Sequence, residues 1–414
     1  MTIPSPSSAA HRPALPGPAG APPAPTEPAA HADAPGGRPP QVEALVELAV
    51  RGLSASFITG GRFAQTMRAV RGPQRIELIR EGQSLRYAAI VALGLARLGS
   101  ADQNRVLGPL GLPGLVRAVC AEARHEADPG AVALAAWAAA EAGNAPDNVL
   151  LERLERLLTG AHPLPTVDVA WMLTAAVAAQ SGVQPGTRLA GHIAQLARNR
   201  LLAAQGPTGI FPHALPARSL GRWRAHIGCF ADQVYPIQAL ARLAGLTDDP
   251  VALAAANLAA RRICTLQGPA GQWWWHYDAR LGTVVEGYPV YSVHQHAMAP
   301  MALGDLAAAG GDDHGDAVRL GLHWLEHHPE VLDDLVSTHW AQVWRKVGRR
   351  EPAKAARKLS AVTTSIRPDW HLPGMDAVLP ANRIDHECRP YELGWLVYAW
   401  GPGQANAPAP ETGA

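Results

Sequence analysis

Six Ala/Leu-rich segments recur along the chain, and their recurrence limits the fold more than any other feature: 85–99 (LRYAAIVALGLARLG), 131–143 (AVALAAWAAAEAG), 169–182 (VAWMLTAAVAAQSG), 232–245 (DQVYPIQALARLAG), 293–310 (VHQHAMAPMALGDLAAAG) and 391–401 (YELGWLVYAWG). Each has a helical period with small or apolar residues nearly all round, which predicts helices buried on most faces. Each closes on a glycine, the residue expected to stop a helix in the left-handed conformation. Between them lie more amphipathic segments richer in Arg and Glu, at 106–123, 148–158, 187–204, 250–266 and 316–327. Buried and half-exposed helices taking turns predict an all-α class, an α/α toroid of about six hairpins in which inner helices line an axis and outer helices wrap them. An open solenoid would keep more even spacing. Here about eighty residues separate the fifth inner segment from the sixth, enough for an insertion near 330–384 that builds a lid or a pocket wall.

The flanks differ in kind. Residues 1–40 are mostly Pro, Ala, Gly and Ser, too poor in large apolar side chains to offset ordering entropy, and 402–414 repeat that composition. Both are expected to be disordered tails around a toroid domain at 41–401. With 36 Lys and Arg against 35 Asp and Glu, the net charge is +1, which argues against a nucleic-acid binder built on phosphate neutralisation. Cys120, Cys229, Cys264 and Cys388 lie far apart with no CxxC pair. Reduced thiols, a start without a signal-peptide pattern and the lack of a membrane-length apolar run predict a cytoplasmic protein with no membrane span.

Chemistry-bearing residues concentrate in 267–300, QGPAGQWWWHYDARLGTVVEGYPVYSVHQHAMAP. Aromatic residues make up only 6% of the chain, so three consecutive tryptophans here suggest a lined cavity rather than a connector. Trp273, Trp274, Trp275, His276, Tyr277 and Tyr288 are candidate substrate-binding residues; Asp278, Glu286, Tyr291, His294 and His296 are candidate acids, bases and hydrogen-bonding groups. Two further clusters precede inner segments. One is 226–235, with Asp232 and Tyr235, where helix capping is the structural alternative for Asp232. The other is 385–392, where Glu387 and Glu392 are candidate catalytic carboxylates and Arg389 and Tyr391 candidate binding groups. In a toroid all three would face one cavity. The basic run 345–350 reads as a solvated face, or as a rim favouring acidic substrates.

Gln267, followed by Gly271 and Trp273, resembles the QW motif of the terpenoid cyclase and protein prenyltransferase superfamily, and Gln205 with Gly209 and Phe211 is a weaker copy. The resemblance implies an α/α toroid whose glutamines staple adjacent hairpins. The cyclase Asp-x-Asp-Asp motif does not occur, and the prenyltransferase zinc site has no clear match. Six-hairpin glycosidases, polysaccharide lyases and uronyl epimerases use the same barrel shape and are the other candidates. The function expected is thus general acid/base catalysis on a carbohydrate or glycoconjugate precursor, as a hydrolase, lyase or epimerase. The alternatives are a divergent isoprenoid enzyme whose tryptophans stabilise cations and a non-catalytic binding toroid. A small-molecule or glycan substrate is the expected partner. No cofactor is required by the pattern; His294 and His296 lack a third ligand, and zinc held by His386 and Cys388 with Cys229 or His226 is the other metal arrangement, at a spacing that matches no standard ligand pattern.

Overall fold

The computed structural model describes residues 40–402 except 73–74, 144 and 182–187. The expected tails lie outside the described residues apart from Pro40 and Pro402. In chain order, α1 (Pro40–Ser56) leads into a hairpin of β1 (Ala64–Arg71) and β2 (Ile76–Gln83), then α2 (Leu85–Leu95), α3 (Ser100–Leu107), α4 (Gly111–Ala123), α5 (Pro129–Glu141) and α6 (Asn148–Thr159). β3 (Leu164–Pro165), α7 (Thr166–Ser181), α8 (Arg188–Ala204), β4 (Ala214–Leu215), β5 (Ile227–Cys229), α9 (Ala231–Thr247) and α10 (Pro250–Thr265) follow. Next come β6 (His276–Asp278), β7 (Val284–Glu286), β8 (Val290–Tyr291), a π-helical turn at His294–Met298, α11 (Ala299–Ala308) and α12 (Gly315–Trp324). The last stretch holds β9 (Val336–Ser337), β10 (Gln342–Val343), β11 (Lys346–Gly348), α13 (Ala355–Ile366), α14 (Met375–Val378), β12 (Arg383–Asp385), β13 (Glu387–Cys388) and α15 (Pro390–Trp400).

The architecture is an α/α toroid. Helices α2, α5, α7, α9, α11 and α15 form the inner ring, each packed on the next, and α15 closes the ring against α2. Closure needs glycine at position 94, where a Cβ would lie 2.3 Å from the Gly394 carbonyl oxygen, and is tight at 394, where a Cβ would lie 3.1 Å from Ile90 Cγ2. The inner helices begin with strong start signals. Asp128 accepts from the Gly130 amide ahead of α5, with Pro129 in the first turn, and Ser84 accepts from the Tyr87 amide at the start of α2. Every residue of α5 from Gly130 to Ala140 is buried. Outer helices bury one stripe, as in α6, where Leu150, Leu151, Leu154 and Leu158 face inward.

The two QW-like repeats are structurally equivalent. Gln205 Nε2 donates to Gly209 O (3.1 Å) and to Ala255 O in the next outer helix (2.9 Å); Gln267 Nε2 donates to Gly271 O (3.0 Å) and to Ala317 O (2.9 Å). Gly209 and Gly271 have φ of +94° and +100°, and a Cβ on either would strike the backbone of the following outer helix. Each motif thus ties one outer helix to the next.

Three expectations need correction. The terminal glycines are not a uniform left-handed stop: Gly310 has φ +82°, but Gly99 and Gly401 have φ −67° and −57°, and Gly245 lies inside α9, which ends on Asp248 at φ +53°. The β1–β2 hairpin, paired from Ala64↔Gln83 to Arg71↔Ile76 and extended by β13, has no counterpart in the helical pattern. The run 100–123 is long and apolar enough to pass as a membrane span, yet half of its apolar window is buried in the toroid. Within 330–384, β11 pairs with β8 and β12 and carries the preceding Arg345 to the axis.

Candidate functional site

The six inner helices run the same way, so their N-terminal ends gather at one end of the axis. Three of them repeat an acid and, three residues on, an aromatic ring: Asp168 and Trp171, Asp232 and Tyr235, Glu392 and Trp395. On a helix that spacing puts the ring one turn deeper on the same face. Trp171 meets Tyr235 edge-on at 5.0 Å, and Tyr235 lies 6.0 Å from Trp395. Above these rings lies a cavity of about 230 Å³. Its wall is mainly ring and aliphatic surface, from Trp171, Tyr235, Trp275, Tyr291, Tyr391 and Met298 among others, with Arg86, Arg345 and His294 as the charged or titratable groups.

Each cavity arginine has carboxylates behind it. Arg86 is paired in bidentate fashion with Asp128 and reaches Asp168 Oδ1 at 3.3 Å. Burial pushes the Asp168 carboxyl up to about 6, against the pull of Arg86 and with help from Asp128 and Asp232. Arg345 donates from Nε to Glu392 Oε1 (3.1 Å) and from Nη1 to Glu387 Oε1 (3.1 Å). Burial raises Glu392 to about 7 despite Arg345 and Arg389. Glu387 also meets Arg68 Nη2 at 2.8 Å, and Arg389 donates to the Tyr87 hydroxyl at 3.0 Å. Glu392 Oε2 is buried without a hydrogen-bond partner, as are Trp171 Nε1, Trp275 Nε1 and His294 Nδ1 of cavity-lining residues.

The expected aromatic run divides three ways. Trp273 is fully buried, its ring 5.5 Å from Phe230. Trp274 lines a second cleft of about 610 Å³ with Glu286, Tyr288, Arg349, Ser360 and Asp376. Trp275 lines the central cavity, stacked on His294 at 6.0 Å and tilted against Tyr291 at 4.7 Å. Trp273 and Tyr277, both fully buried, have core rather than lining positions. Asp278 is held by Arg280 through Nε (3.0 Å) and Nη2 (2.6 Å). Glu286 accepts from Arg349 (3.3 Å) and Ser360 (3.0 Å), and burial raises its pKa against the Arg349 charge. Burial lowers His294 and His296 to about 3 and holds His276 well below its usual value, so all three are neutral at pH 7. His296 sits where the Trp400 indole donates to its carbonyl at 2.7 Å, and is not a cavity-wall residue. Of the three expected clusters, the first brings Tyr235 to the cavity, the second Trp275, Tyr291 and His294, and the third Tyr391, with Glu392 and Glu387 behind Arg345.

Asp232 is fully buried and accepts at Oδ2 from His213 Nδ1 (2.8 Å) and the Cys229 amide (2.7 Å). The hydrogen bond and charge of Asp232 raise the His213 pKa. Ligand atoms of His213, Cys229 and Asp232 come within 4.8 Å of one another, so this trio has the donors for a divalent metal. It differs from the set anticipated around His386, which packs edge-on against Trp344 at 5.3 Å.

Sequence reasoning missed Arg86, Asp128, Asp168, His213 and the role of Arg345. The signal for Asp168 was the repeated acid–aromatic spacing. Arg86 left none, because an arginine in the first turn of an apolar helix reads as solvated.

No protein-family model and no curated protein matches the chain. Solved structures with the same fold include a glycosyl hydrolase family 88 protein from Bacteroides vulgatus, at TM-score 0.52 and 10% identity over 86% of this chain and 97% of that one. A possible member of the GH105 family from Salmonella enterica serovar Paratyphi A aligns at TM-score 0.50 and 10% identity, over 89% and 95%. A protein described as a glycosidase aligns at TM-score 0.50 and 13% identity, over 87% and 96%. These are toroids of the glycosidase type, the second of the two resemblances.

Proposed function

We propose that the chain is an enzyme acting on a carbohydrate or glycoconjugate by general acid/base catalysis in the cavity at the N-terminal ends of the inner helices. One observation carries the reading: two carboxyl groups poised near neutrality, Asp168 and Glu392, each paired with an arginine of one aromatic-walled cavity. A group with a pKa near the working pH can both give and take a proton at useful rates. Trp171, Trp275 and Tyr291 offer ring surface for a sugar, and Arg86 and Arg345 offer hydrogen-bond donors to its polar groups. Arg86 and Arg345 would draw a substrate carboxylate inward, and the convergent helix starts favour negative charge in the same place. Hydrolysis, elimination and epimerisation all fit such a pair, and the glycoside hydrolases among the fold neighbours agree in substrate class. Four unpaired cysteines accord with a cytoplasmic setting.

The predominance of ring and aliphatic wall favours a second reading, an isoprenoid enzyme. Two guanidinium groups weigh against it, because a carbocation beside fixed positive charge is raised in energy. The test is turnover of neutral glycans, uronides and nucleotide sugars, scored by new reducing ends, by ultraviolet absorbance of an unsaturated product and by proton exchange, with Asp168→Asn and Glu392→Gln alongside. Activity on one glycan class that both variants lose supports the reading. No turnover anywhere, with thermal stabilisation by prenyl diphosphates alone, would replace it with the second.

A further inference from the structure

Helix α13 is inverted. Its inward face carries Ala356, Ser360, Ala361, Thr363 and Thr364, while Leu359, Val362 and Ile366 are 40%, 37% and 67% exposed. Their i, i+3, i+7 spacing makes one outward stripe. The polar inward face has its own work: Ser360 Oγ donates to Glu286 Oε2, and Thr364 Oγ1 bonds His226 Nε2 at 3.0 Å. The stripe does not stand alone. Trp370 and Leu372 are exposed just after the helix, and Trp223 is exposed in a loop tied to it by Ser365 Oγ donating to Arg222 O at 3.0 Å. The same two segments carry exposed cations: Arg218, Arg222 and Arg224 in the loop, and Lys354, Lys358 and Arg367 in the helix and at its ends. Within 216–225 and 354–372 the only carboxylate is Asp369, so positive charge concentrates here in a chain whose net charge is +1.

We propose that this face docks on an anionic lipid surface, the stripe and tryptophans entering the interfacial layer and the cations meeting lipid headgroups. Apolar and indole groups set among basic residues are the composition of interfacial membrane binding. A second copy of the chain is the poorer occupant, because a two-fold contact sets the same cations against each other. The surface stands whether or not the cavity turns over a glycan.

The test is co-sedimentation of the full chain with vesicles of phosphatidylcholine alone and of phosphatidylcholine mixed with phosphatidylglycerol. Pelleting is expected with the mixed vesicles only and should weaken at high salt. The exposed-site double variant Val362→Asp/Ile366→Asp, checked for native fold by circular dichroism, should lose roughly tenfold or more of the binding. Arg222→Glu/Lys358→Glu, which leaves the apolar stripe intact, should lose part of it. Failure of the wild type to pellet, or pelleting that both variants retain, would overturn the proposal. A wild-type dimer in light scattering that the first variant dissolves would overturn it too, by assigning the face to a second copy.

Discussion

Two sets of buried carboxylates, at opposite ends of the toroid axis, are balanced differently. At the C-terminal ends of the inner helices, Glu141 Oε1 accepts from Arg97 (2.7 Å) and the Tyr398 hydroxyl (2.8 Å), while Oε2 accepts from Arg242 (2.8 Å) and the Trp137 indole. Burial alone would raise this carboxyl, but Arg242, Arg97 and the two hydrogen bonds outweigh it and bring the pKa down to about 2. At the N-terminal ends burial wins: Asp168 and Glu392 rise to about 6 and about 7 beside arginines shared with other carboxylates. The Glu141 end uses its ion pairs to hold the helices together, although burial raises Asp305 beside Arg242 there. The other keeps acids that cost stability at neutral pH, the pattern expected where a site needs groups ready to exchange protons.

The comparison would break first on activity. Asp168→Asn should lower turnover on the substrate found by screening by roughly 10²–10⁴-fold with the fold intact, measured as kcat; a variant with full activity would put Asp168 outside the chemistry. Glu141→Ala should cost about 3–5 kcal/mol by leaving Arg242 buried without its carboxylate, read from urea unfolding, whereas Asp168→Asn should not destabilise. Glu392→Gln sharpens the contrast through pH. The folded protein holds the Glu392 proton to about pH 7, while the unfolded chain releases it near the ordinary 4.5, so this group makes stability fall as pH rises across that window. The variant should match wild type near pH 4 and exceed it above pH 7, by at most roughly 3 kcal/mol. Glu141 has the opposite sign: its contribution is present above its unfolded pKa and lost as pH falls toward about 2. Smallest is Gln267→Ala, expected to cost about 1 kcal/mol and to add to Gln205→Ala, since the two staples share no partner.

The ring of helices was legible because burial on all faces leaves a compositional trace in every inner segment, and the glutamine staples because their glycine needs a positive φ. The β1–β2 hairpin was not, since β2 is largely exposed and lacks a clean apolar alternation. Tyr235 and Tyr391 could be picked out as rings at inner-helix starts, and Trp275 and Tyr291 as part of the aromatic run before α11. Arg345 belonged to a basic run that reads as solvated surface, and only the pairing of β11 with β8, Lys346 opposite Tyr291, sets it over the Tyr291 ring at 4.8 Å. The three tryptophans looked like one unit, yet an irregular backbone there sends three neighbouring rings to the core, the second cleft and the cavity.

The contact between Gly94 and Gly394 also governs how the molecule is made. The flank of α2 that receives α15 has no partner until residues 390–400 have been made, so closing the ring is a long-range event. A chain cut before Pro390 would keep five inner helices with two uncovered edges. Glycine at position 94 lets α15 slide in against bare backbone, and a side chain there would strike the Gly394 carbonyl and hold the ring ajar.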